Sequence, residues 1–123
     1  MKSGTKLMVG DYVQVVYNSQ KVRAKVTAQC GDIITVQVDL DNDECVTDYN
    51  ILDVSGFDLT EEFLYKNSYR VYNTPYFVQY CINYIFTIKK IDDKFLFDGI
   101  KLKYIHEFQH WFDLCHIDKE IEL

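Results

Sequence analysis

The chain has 123 residues, with 19 acidic against 13 basic side chains, a net charge of −6, and 48% hydrophobic and 15% aromatic content. So much apolar side chain excludes a disordered polymer, and the negative balance disfavours general binding to phosphate backbones. No apolar run approaches the roughly 20 residues a spanning helix needs, so no membrane association is expected, and one Pro and five Gly leave no flexible linker.

Residues 1–56 read as a small SH3-like antiparallel β unit, barrel-like in size. Leu7-Met8-Val9-Gly10-Asp11-Tyr12-Val13 carries an apolar lead and a Gly-Asp turn into the strand Tyr12–Tyr17. Asn18-Ser19-Gln20 turns the chain. Lys21 to Val26 then alternates, with Lys21, Arg23 and Lys25 on one face and small apolar residues on the other. Cys30-Gly31-Asp32 is a second turn, Ile33 to Val38 is β-branched and strand-like, Asp39 to Glu44 is an acidic loop, and Cys45 to Val54 is expected as a last strand.

Residues 57–123 begin with a short helix, Leu59 to Lys66, which Asp58 or Thr60 can cap and whose Glu61 and Glu62 favour its positive end. Tyr76 to Ile88 then alternates, as one long strand or as a pair broken near Asn83. Asp98-Gly99 is a hairpin signal between Lys94–Phe97 and Ile100–Lys103, and a helix starting near Tyr104 closes the chain. The fold class is therefore α+β: a β unit, a short helix, a second antiparallel sheet and a C-terminal amphipathic helix. The pattern leaves open whether the two β segments form two lobes or one compact domain.

His106-Glu107-Phe108-Gln109-His110 satisfies H-E-x-x-H. Two His at i and i+4 share a helix face and can bind one Zn²⁺, with the Glu deprotonating a metal-bound water. Asp113 or His116 would be the third ligand. On a wheel at about 100° per residue, Tyr104, Phe108, Trp111, Phe112 and Cys115 share an arc with Ile105 at its edge, while His106, His110 and Asp113 lie opposite. The aromatic face is expected to meet the core and the histidines to meet solvent or a partner. Only Ile117 to Leu123 follow His116, and Asp113 stands where the extended motif needs Gly. A surface helix is thus favoured over a zinc hydrolase. No cofactor is expected, adventitious zinc on His106, His110, Asp113 and His116 aside.

Three stretches resemble, in the same order, motifs of a family of small proteins that recur in anaerobic gut bacteria, especially in their phages and mobile elements. They are the Leu7–Val13 segment, Leu59-Thr60-Glu61-Glu62-Phe63-Leu64, and Tyr104-Ile105-His106-Glu107-Phe108-Gln109. The resemblance implies no established activity. The family pattern usually has Asn where this chain has His110, which implies that the H-E-x-x-H match is a substitution on a shared helix. His106 fits the pattern and takes a structural or partner-contact role by that resemblance.

Other patterns are weaker. Asp39-Leu40-Asp41-Asn42-Asp43-Glu44 starts like a calcium loop but has Glu44 at the sixth position and Asn50 at the twelfth, so it is not an EF-hand. Lys21, Arg23 and Lys25, with Tyr12 and Tyr17, could face a nucleic-acid strand, although the net charge argues against it. Cys30, Cys45, Cys81 and Cys115 form no C-x-x-C, and without a secretory leader they are expected to be reduced thiols of a cytosolic protein, with Cys81 and Cys115 as small core residues. The expected function is a non-enzymatic protein–protein interaction module of phage or mobile-element origin. Its partner surface would include Lys21, Arg23, Lys25, His106 and His110, and self-association is a further option.

Overall fold

The computed structural model describes residues 1–117 and 119–123. The chain forms two compact units, Met1–Phe57 and Asp58–Leu123. Each unit holds one five-stranded antiparallel sheet, and both helices lie in the second, so the α+β class holds.

The first sheet comprises β1 (Tyr12–Tyr17), β2 (Gln20–Cys30), β3 (Ile33–Gln37), β4 (Val46–Asn50) and β5 (Ser55–Gly56), in the order β4-β3-β2-β1-β5. Its entry is set by a tight turn. Asp11 N–H donates to Met8 C=O at 3.0 Å, and Gly10 sits inside this turn at φ +96°, where a side chain is strained. The buried Asp11 carboxylate accepts from Met8 N–H at 2.8 Å. Alternation then buries Val13 and Val15 of β1 against Ala24 and Val26 of β2 and Ile34 and Val36 of β3. The expected strand ending at Val26 continues to Cys30, because a bulge between Val26 and Ala28 resets the side-chain phase that the alternation relied on.

One expectation for this unit is corrected, and another, the SH3-like barrel, is not shown. Cys45 to Val54 is not one strand. Asn50 Oδ1 accepts from Leu52 N–H at 3.0 Å and caps a 3₁₀ turn at Ile51–Asp53, which separates β4 from β5. The sheet also stays open instead of closing into an SH3-like barrel. It curls enough for the Tyr49 hydroxyl of β4 to reach the Val16 carbonyl of β1 at 2.8 Å, but among the described residues no ladder joins β4 to β5.

The second unit contains α1 (Glu61–Asn67), β6 (Arg70–Asn73), β7 (Val78–Cys81), β8 (Thr87–Ile91), β9 (Lys94–Phe97), β10 (Ile100–Leu102) and α2 (Ile105–Leu114). The strands form a plain meander, β10-β9-β8-β7-β6. Thr60 caps α1, its Oγ1 accepting from Phe63 N–H at 3.1 Å, so Leu59 stays extended and the helix starts at Glu61. The Tyr76–Ile88 alternation is a broken pair: Asn83 Oδ1 accepts from Ile85 and Phe86 N–H at 2.8 and 3.0 Å and turns β7 into β8. Asp98 and Gly99, both at positive φ, make the tight β9–β10 turn. Strand β6 has no counterpart in the sequence reading.

The core of this unit is aromatic. Phe86 is fully buried, with its ring 4.5 Å from Phe97, 5.3 Å from Phe108 and 5.6 Å from Phe112 by centroids. Phe63 of α1 meets Phe108 edge-on at 5.2 Å. A polar clamp completes the unit. The buried Asn67 amide donates to Glu122 C=O at 2.7 Å and accepts from Glu122 N–H at 2.8 Å, much as a neighbouring strand would. Truncation of Phe86 to Ala is expected to cost about 3–5 kcal/mol. Tyr84→Ser, two residues away but 93% exposed, should cost less than about 0.5 kcal/mol. Urea unfolding of the two variants checks the contrast.

Candidate functional site

The H-E-x-x-H residues lie on α2, where Glu107 bonds the backbone at the helix start. Glu107 Oε1 accepts from the backbone N–H groups of Lys103 and Tyr104, both at 2.9 Å. It reaches back as the third residue of the helix to satisfy donors at the N-terminus. His106 stacks on Tyr104, ring centroids 5.4 Å apart and 12° between planes, and meets His110 edge-on at 5.8 Å.

His116 lies past the end of α2. It follows the helix at φ +53°, its N–H bonds Asp113 C=O, and Ile117 N–H bonds Phe112 C=O, which is a Schellman closure. Asp113 is exposed. Among the described residues no three His, Cys, Asp or Glu side chains group so as to hold a metal ion. The helix-face reading also needs adjustment. Ile105, expected at the edge, is buried with Phe108 and Phe112, Trp111 and Cys115 are half-buried, and His106 and His110 are half-buried where a solvated face was expected. The wheel treats a helix as lying on one flat core, whereas several elements cover this one.

The other expected sites also separate into local structure. Lys21, Arg23 and Lys25 do share the outer face of β2, paired with Val16, Gln14 and Tyr12. Arg23 lies over the Phe57 ring at 4.7 Å, and Tyr17 packs on the opposite face against the core. The cationic face thus keeps Tyr12 but loses Tyr17. In the acidic loop, Asp39 Oδ1 accepts from Asp41 N–H and Asn42 Oδ1 from Glu44 N–H, so these oxygens hold their own turns. All four cysteines are free thiols, with Cys81 buried and Cys30 exposed.

A different surface emerges around β6. It is an edge strand, paired only with β7 among the described residues. Beside it run two adjoining hollows of about 400 and 380 Å³, which share Tyr65, Val71 and Asn73. The floor is formed by the cross-strand pairs Val71–Tyr80 and Asn73–Val78, and the wall is α1. One end is acidic, where Glu61 holds Lys90 at 2.6 Å and Glu62 lies 3.5 Å from Lys66. The hydrogen bond to Glu61 raises the Lys90 ammonium above its ordinary pKa, and burial, followed by the Glu61 charge, raises the Tyr80 hydroxyl. The other end is aromatic, where Tyr69 meets Tyr84 at 5.6 Å.

The sequence reading missed this surface because β6 is only four residues long and lacks an extended alternation. The available signal was Arg70-Val71-Tyr72-Asn73 between the breakers Asn67-Ser68 and Thr74-Pro75. No family model, curated protein or solved structure matches the chain.

The assignment of α2 residues to helix ends has a direct consequence. Glu107→Ala is expected to lower stability by about 1 kcal/mol, equally with and without a chelator. His116→Gly should raise it by up to about 1 kcal/mol by relieving the left-handed backbone. Protein purified without a His tag should carry far less than one zinc per chain, with His110→Ala no different. Stoichiometric zinc lost in that variant would restore the hydrolase reading.

Proposed function

We propose that the protein is a non-enzymatic protein–protein interaction module, encoded by a phage or mobile element and acting in the cytosol of its host. One observation carries this reading: large aromatic and aliphatic side chains are exposed where the fold does not require them. Tyr84 and Ile85 form the tip of the β7–β8 turn, 93% and 71% exposed. The turn itself is held by Asn83 and by Ile82 N–H bonding Phe86 C=O, so polar tip residues would serve folding equally well. Tyr65, Tyr69, Tyr72 and Tyr76 are also exposed in this unit. Tyr69 and Tyr84 meet at 5.6 Å; exposed apolar surface marks interaction sites, and Tyr supplies rigid contact area with a polar tip.

The ordered resemblance to mobile-element proteins supports the genetic origin, and the free cysteines are compatible with a reducing cytosol. Among the described residues no helix is long and apolar enough to cross a membrane.

A photo-crosslinking amino acid placed at Tyr84 in the native host tests the reading. Irradiation should yield a discrete protein adduct that is not formed from the similarly exposed Leu52 position. No adduct, or identical adducts from both positions, would remove the basis for this assignment.

A further inference from the structure

We infer that the outer edge of β6 receives an extended, cation-bearing peptide segment of a partner protein as a sixth strand of the second sheet, a proposal that rests on the interaction-module reading. The argument starts from hydrogen-bond phase. Thr74 N–H donates to Phe77 C=O at 3.0 Å, in register with the pairs Arg70–Cys81 through Asn73–Val78. Hydrogen-bonded positions alternate along an antiparallel ladder. Arg70 and Tyr72, in phase with Thr74, therefore turn their peptide groups to β7, and Val71 and Asn73 turn theirs outward. Those same two residues line both hollows. The outward main-chain donors and acceptors and the groove therefore coincide, which is the arrangement strand addition uses: the main chain supplies affinity and alternate side chains enter pockets.

Charge selects the occupant. Along α1 and at the β8–β9 turn, Glu61, Glu62 and Asp93 stand against Lys66 and Lys90, three carboxylates to two ammonium groups. The Glu62 and Asp93 side chains are 81% and 97% exposed. The one arginine of β6, Arg70, borders the hollow at the aromatic end, and its guanidinium is engaged by Tyr72, with Nη1 2.9 Å from the phenol oxygen. Val71 and Asn73 both line the two hollows; the acidic end lies on the cross-strand row Asn73–Val78–Lys90, where Lys90 meets Glu61, and the aromatic end lies towards Tyr69, two residues before Val71. Val71 and Asn73 are two residues apart, about 6.5–7 Å along a strand. A matching segment presents an aromatic or β-branched side chain and a Lys or Arg two positions from it on the same face. A second copy of this chain, with a net charge of −6 and the same acidic end, is disfavoured by like-charge repulsion.

The test is selection of a phage-displayed library of random linear peptides on the full-length protein, followed by fluorescence anisotropy of the synthesised winners. Selected peptides should carry the aromatic-or-branched and basic pair. Val71→Pro, which removes an outward N–H that β7 does not use, should weaken binding about tenfold or more. Glu62→Lys should weaken it and flatten its salt dependence. In the wild-type complex, Val71 and Asn73 amides should exchange more slowly, a readout that needs no variant to fold. Acidic or neutral winners, or winners that bind Val71→Pro equally and leave both amides unprotected, would overturn the strand-addition proposal. So would an empty selection, or a dimer in sedimentation that Val71→Pro dissociates. In each of these cases the Tyr84 cross-link decides separately whether the interaction-module reading stands.

Discussion

The second unit depends on the burial of Phe86. Its ring is the common neighbour of Phe97 from the sheet and of Phe108 and Phe112 from α2. Edge-to-face and offset contacts of this kind add to the area term of each aromatic burial. The same network places α1, because Phe63 closes on Phe108 and Leu64 is fully buried beside it. With positions 63 and 64 turned inward, helical geometry turns Tyr65 outward, over β6. The wall of the groove is thus a by-product of core packing.

Polar side chains in this protein are largely spent on the backbone. Glu107 satisfies two N–H groups at the start of α2, Asp11 holds the turn before β1, and Asn67 pairs with both sides of the Glu122 peptide unit. Buried groups of this type stabilise chiefly by avoiding the cost of unpaired donors and acceptors. Glu107, whose residue type suggests catalysis in a linear reading, thus takes part in folding the start of α2.

Legibility followed the range of the interaction. The β1–β2 hairpin, a cap for α1 at Asp58 or Thr60, the Asp98-Gly99 turn and the start of α2 near Tyr104 are set by neighbours a few residues apart, and each could be read. The break at Asn83 was half-legible, since alternation continues through it while Asn83 supplies the turn. The bulge after Val26, the 3₁₀ turn at Ile51–Asp53 and the open state of the first sheet depend on partners from other strands. The role of Glu107 was available as a Glu three residues after the helix cap, but the H-E-x-x-H pattern drew attention to its chemistry instead of its position.

By itself the sequence determined the α+β class, the order of most elements and the aromatic character of the α2 face, because periodicity and turn chemistry are local properties of the chain. Only the tertiary structure decided that β6 exists, that it is an edge, and that Val71 and Asn73 direct their peptide groups away from β7. A four-residue strand carries too little periodicity to announce itself. Its edge status is a statement about which strands are paired elsewhere, and no single stretch of sequence contains that information.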